Sequence, residues 1–222
     1  MSTRSGRSCR GFTLLDLLVS LAVIAVLMSF LLPALESARI GAERVKCATQ
    51  LREAGIGTMA FAIDSDDKLM PSIWDASEMP RRGPRADQAV YLRVGVVPGR
   101  SEQTQWDAMG HLIDGDYVAT HELFYCPSHT AEFTFDAYAN ARKSGEGEIV
   151  SNYHYRVDQG YDSRRLSRLN PSMALAADSM RSPEEFNHQV GANVLAADFS
   201  TAWFDDEQGE FVSKLSDPYA WF

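Results

Sequence analysis

Residues 10–33 read RGFTLLDLLVSLAVIAVLMSFLLP, and the whole fold turns on how that run is understood. From Phe12 to Leu35 the one side chain ionised at neutral pH is Asp16. A helix of about 20 apolar residues spans a bilayer, so the run predicts a transmembrane helix over 12–35. A secretory signal would have a shorter apolar core, about 7–15 residues, and a small-residue cleavage site behind it. No A-x-A site follows this run. Arg4, Arg7 and Arg10 precede it with no acid among them, which predicts a cytoplasmic N-terminus and a body on the far side of the membrane. A carboxylate inside such a helix is costly unless paired, so Asp16 needs a partner.

Beyond Pro33 the helical rhythm continues. Val45, Ala48, Leu51, Gly55, Met59 and Ala62 recur at three- and four-residue steps and share one face. Pro33 removes a backbone donor and predicts a kink, with the helix running on to about Ile63. Asp64, Asp66, Asp67 and Pro71 then break it. Residues 75–115 are rich in Pro, Gly and Arg and read as long surface loops, with one short strand at YLRVGVV. Further on, ELFYCPS, SNYHYRVD, MALAADS, NVLAADF, TAWF and EFVSKL are short runs, several rich in aromatic and β-branched residues, between turn formers. A short helix is expected near Trp106 to Ile113. A long helix followed by strands predicts an α+β fold, with the helix packed on a small antiparallel β-sheet.

The chain has 222 residues, of which 45% are hydrophobic and 23% charged, enough for one globular domain with an appendage. Its net charge of −9 argues against nucleic-acid binding, which needs clustered cations. Arg81, Arg82 and Arg85, like Arg164, Arg165 and Arg168, read as solvated loops. The acids at 64–67 form a D-x-D-D cluster that can offer oxygen ligands to calcium, but Lys68 competes and no glutamate follows at loop spacing. His121, Cys126 and His129, with His154, have a spacing able to hold zinc, yet no paired C-x-x-C supports it. No G-x-S-x-G elbow is present. The expectation is therefore a non-enzyme without metal or cofactor.

Gly11 followed by Phe-Thr-Leu-Leu-Asp resembles the cleavage and methylation signal of type IV prepilins and type II secretion pseudopilins. The resemblance implies cutting by prepilin peptidase between Gly11 and Phe12 and methylation of the Phe12 amine. Asp16 stands where that family carries a glutamate, and its partner is then the amine of a neighbouring subunit. Aspartate is one methylene shorter, which shortens that reach. Pro33 stands where many members carry a helix-kinking proline. The implied partners are the peptidase, the inner membrane, and self or other pseudopilins in a filament.

KCATQLREAGIGTMAFAIDSDDKLMP, FYCPS, SNYHY and HQVGANVLAADFS together resemble prepilin-type proteins with a C-terminal H-X9-DG domain. Nine residues separate His188 from Asp198, and Phe199 replaces the glycine. NVLAA and TAWF then read as a hairpin whose loop is longer than a two-residue turn, because Phe199 resists positive φ. A hydrogen bond between His188 and Asp198 is expected to tie its base. The resulting division is a leader over 1–11, a membrane and assembly helix over 12–35, and a periplasmic pilin-like domain over 36–222 with the signature at 188–198. Cys9 is lost with the leader, and Cys47 and Cys126 are left to join as a disulfide in an oxidising periplasm. Two other readings stay open: a monomeric tethered binding module using Trp203, Phe204, Tyr219, Trp221 and Phe222, and a periplasmic enzyme with a pilin-like anchor.

Overall fold

The computed structural model describes residues 13–73, 88–96, 105–130, 132–156, 165–178, 186–188 and 190–210. Helix α1, Leu14–Asp64, is one element of 51 residues that contains Pro33. The chain divides into two compact units, Met1–Ala42 and Glu43–Phe222. In the first, the large apolar side chains from Leu14 to Leu35 are all exposed. This segment has no core of its own, as expected for a helix whose apolar surround lies outside the chain.

In the second unit α1 buries Cys47, Leu51, Ala54, Gly55, Gly57, Thr58 and Ala62. The expected stripe shares Leu51, Gly55 and Ala62 with this face, whereas Val45 and Met59 are 65% and 45% exposed. Close approach explains the difference. A Cβ on Gly55 would lie 2.9 Å from Leu195 Cδ1, so the sheet layer seats against the small residues of the helix rather than the larger ones. At the helix end Asp66 and Asp67 take positive φ, and the Asp67 amide donates to Ala62 O at 2.8 Å, ending the helix. The nearby carboxylates accept from protein donors: Asp64 from Tyr117, Asp66 from Arg165, and Asp67 from Ser167.

Six strands follow: β1 Gln88–Val94, β2 Gln105–Trp106, β3 Ile149–Arg156, β4 Ala174–Asp178, β5 Gly191–Ala196 and β6 Thr201–Asp205. They form one sheet in the order β2-β1-β3-β4-β5-β6. Every neighbouring pair is antiparallel. The fold is the expected α+β arrangement of a long helix packed on a small antiparallel sheet, consistent with a pilin-like fold. Leu51 of α1, Leu92 of β1, Leu112, Phe124, Tyr153 of β3 and Leu175 of β4 meet in the core.

One expected strand is not a strand. ELFYCPS begins with a 3-10 turn, His121–Phe124. Leu123, Phe124, Tyr125 and Cys126 are buried in succession, so the segment plugs the core instead of alternating between two faces. EFVSKL lies outside the described residues.

The β5–β6 hairpin closes through a loop longer than two residues, as expected, but the expected reason does not hold, because Phe199 does not avoid positive φ. Phe199 itself takes φ 62° there, its amide donating to Ala196 O at 2.9 Å. A left-handed backbone costs a non-glycine residue roughly 1–2 kcal/mol. The ring offsets this by packing on α1, where its Cδ1 would sit 3.3 Å from a Cβ on Gly55.

Candidate functional site

Gly11 and Phe12 lie outside the described residues. Their neighbours Thr13 and Asp16 are engaged with each other. Thr13 donates to Asp16 Oδ2 from its amide at 3.0 Å and from its hydroxyl at 2.8 Å. The Asp16 amide donates back to Thr13 Oγ1 at 3.2 Å. This is a capping box, in which a hydroxyl residue and an acid three positions on satisfy each other's orphan donors at a helix start. In a single chain, then, the Asp16 carboxylate already has a local partner.

The second concentration of chemistry is in the body. Cys47 on α1, Cys126 after the 3-10 turn, Asp178 at the end of β4 and His188 before β5 all point into one buried place. Their relative exposures are 0%, 4%, 0% and 8%. One sulfur, nitrogen or carboxylate oxygen from each lies within 4.8 Å of the others. Cys47 Sγ donates to Asp178 Oδ1 at 2.8 Å and lies 3.0 Å from the Tyr153 hydroxyl. Cys126 Sγ is 3.6 Å from His188 Nε2, which is 3.5 Å from Asp178 Oδ2. The Asn193 amide donates to Asp178 Oδ2 at 2.6 Å, because β5 pairs beside β4. His188 packs edge-on against Trp203, and the Arg44 guanidinium stacks 3.4 Å above the Trp203 ring.

Burial sets the electrostatics of this cluster. It pushes the Cys47 thiol far up, with the Cys126 sulfur and the Asp178 charge adding to it. At Cys126 burial also works upward, but hydrogen bonds from Cys47 and His188 outweigh it and bring the thiol down to about 7. Asp178 is raised by burial against the pull of His188. Burial works to lower His188, yet Cys126 and Asp178 carry it above its ordinary value. Cys126 and His188 thus shift in opposite directions, each drawn by its contact with the other.

A nucleophile–base–orienter relay needs the two imidazole nitrogens to face different partners. Here one atom, His188 Nε2, faces Cys126 and Asp178, with Asn193 Nδ2 also 3.4 Å away. The side chains converge on a point instead of forming a chain. An open cleft of about 650 Å³ adjoins Cys126 and is lined also by Gln50, Glu53, Tyr125 and His129.

The residues singled out from the sequence fall unevenly. Cys47 and Cys126 are brought together, both as free thiols. His188 joins them, but its expected partner Asp198 does not. Asp198 is exposed in the β5–β6 loop, where it accepts from the Ser200 amide and hydroxyl at 2.9 and 2.6 Å. The His188–Asp198 bond is therefore replaced by the contact with Asp178. Of the spacing-based quartet only Cys126 reaches the cluster. His121 packs against Trp106, and His129 Nδ1 donates to Asn187 Oδ1 at 2.6 Å. His154 is buried within β3. Among the C-terminal aromatics, Trp203 and Phe204 lie on β6, while Tyr219, Trp221 and Phe222 lie outside the described residues.

Asp178 was missed, although the sequence carries a sign of it. The tetrapeptide Leu-Ala-Ala-Asp occurs at 175–178 and again at 195–198. Only the first copy ends in the core.

Residues 6–32 match the family described as the prokaryotic N-terminal methylation motif. The match supports a prepilin-like N-terminus, and it runs into a helix long and apolar enough to cross a membrane. No curated protein and no solved structure matches the chain.

Proposed function

We propose that the protein is a pseudopilin-like structural subunit and not an enzyme. Prepilin peptidase cuts it after Gly11, Phe12 is methylated, and the mature chain enters a type II secretion-type or type IV pilus-like filament. Its N-terminus starts on the cytoplasmic side of the inner membrane, and the α+β body with its H-X9-D segment is periplasmic. The observation that carries this reading is the methylation motif leading into a helix with exposed apolar side chains from Leu14 to Leu35. Such a surface needs lipid first and like helices afterwards. In the filament the Asp16 carboxylate takes the Phe12 amine of a neighbour, so two charges neutralise each other within an apolar bundle.

Mass spectrometry of membrane-purified protein tests the processing: the expected N-terminus is methyl-phenylalanine at Phe12, and a functional protein that still begins at Met1 overturns the reading. Assembly is tested by crosslinking through cysteines placed in α1. Asp16→Ala is expected to be cut normally and to lose crosslinks between copies. Unchanged crosslinking in that variant removes the role given to the carboxylate.

A further inference from the structure

Cys47, Cys126, Asp178 and His188 reach one buried point from four different segments of the chain. We propose that they bind one divalent cation of the zinc class, in a closed structural site that fastens α1 to the sheet. The donors decide the class of ion. Two sulfurs and an imidazole suit a borderline-soft cation, whereas calcium and magnesium take oxygen ligands.

Two of the distances already suit a tetrahedron. Zinc–ligand bonds of about 2.0–2.3 Å place neighbouring donors roughly 3.3–3.8 Å apart. Cys126 Sγ to His188 Nε2 is 3.6 Å, and His188 Nε2 to Asp178 Oδ2 is 3.5 Å. The 2.8 Å contact from Cys47 to Asp178 is a thiol hydrogen bond. It opens when the metal displaces that proton to solvent, as thiol ligation requires. Four protein ligands fill all four positions and leave none for water or substrate, which makes the site structural rather than catalytic.

The surroundings match. The Asn193 amide fixes the Asp178 carboxylate and the Tyr153 hydroxyl lies beside Cys47 Sγ, the arrangement of outer partners that orient ligands. Two thiolates, a carboxylate and a neutral imidazole around a divalent ion leave a net charge of about −1. Arg44, stacked on the Trp203 ring that packs against His188, supplies the nearby positive charge. A disulfide between Cys47 and Cys126 would use up two of the donors, so the two fates exclude each other. The site stands however the N-terminus is processed.

The test uses the full chain in detergent micelles, purified with zinc in the medium and then dialysed. About one zinc per chain is expected, with Cys47 and Cys126 unreactive to iodoacetamide until a chelator is added, whether or not Cys9 is still present and reacts. Exchange into cobalt(II) should give the visible spectrum of a tetrahedral, thiolate-bound ion. His188→Gln and Asp178→Asn should weaken zinc binding by more than the roughly 10–100-fold that an outer partner is worth. Asp198→Asn should leave it unchanged. The proposal is overturned by a metal-free dialysed protein, or by an intact mass about 2 Da lower, the mark of a disulfide. Undiminished zinc in the Cys47→Ser/Cys126→Ser double variant overturns it too, since the ion is then adventitious. Should the ligand variants fail to fold, the cobalt spectrum of the wild-type chain decides: a thiolate-to-cobalt band supports the site and its absence removes it.

Discussion

Asp107 is fully buried, with its carboxylate accepting from the Ile73 amide at 2.7 Å and the Ser72 hydroxyl at 3.1 Å. Burial pushes it up to about 6 in spite of those bonds. The folded chain therefore holds this proton more tightly than the unfolded one, and its contribution to stability falls as pH rises from the ordinary carboxylate range to about 6. Asp107→Asn removes the fall. The difference in unfolding free energy between wild type and variant should change by on the order of 2 kcal/mol between pH 4.5 and 7 in urea titrations; a constant difference would count against the shift. Gly110 gives a sharper case. A Cβ there would lie 1.7 Å from Leu92 O, a backbone atom that also accepts from the Asp107 amide. Gly110→Ala should cost about 3 kcal/mol or more, read as a lower denaturant midpoint at unchanged slope. Neither residue was legible in the sequence, because each owes its role to a chain crossing and not to its neighbours. Thr13 and Asp16 were legible in principle, since T-x-x-D before an apolar run is the spacing of a capping box. Asp178 and Asp198 end identical tetrapeptides, and only strand pairing separates the buried one from the exposed one.

At the scale of elements, β3 and β6 could be read from their aromatic and β-branched content, whereas β4, Ala-Leu-Ala-Ala-Asp, and β5 were marked chiefly by the turn formers around them. Alternation played little part: seven of the eight residues of β3 are buried, so polarity does not switch along it. ELFYCPS has the same composition and becomes a 3-10 turn, because Pro127 cannot extend a ladder and the core takes four of its side chains in a row. The short helix Ala139–Ser144 depends on an element far from it. Arg93 of β1, 4% exposed, donates to Gly147 O at 2.9 Å, Glu146 O at 2.8 Å and Ala141 O, closing the C-terminal end of that helix. Arg93→Met should lower stability by about 2 kcal/mol, because three charge-assisted hydrogen bonds from a buried guanidinium are lost. Arg93→Lys should recover less than half of this, since a single ammonium lacks the planar fork. Thermal unfolding followed by circular dichroism checks both, and equal melting of wild type and Arg93→Met would contradict the bonding described.

For the whole molecule, the long helix ahead of the strands was enough to give the α+β class, because an amphipathic second half must find a layer to cover it. Its facing residues were harder to place, as small side chains and close approach outweighed the larger apolar ones at Val45 and Met59. No residue from Thr13 to Ala42 is buried. A chain lacking residues 1–36 should therefore melt within about 2 °C of the full chain in the same detergent, and a drop of more than about 5 °C would show that the removed segment supports the fold. One consequence follows from the Thr13–Asp16 box. A carboxylate that closes the opening turn of its own helix cannot turn outward to a neighbour's amine without releasing that turn. Docking and fraying then become a single event, and the Thr13 amide proton acts as a built-in gauge: slow to exchange in the lone subunit, quicker once a neighbour has claimed the acid.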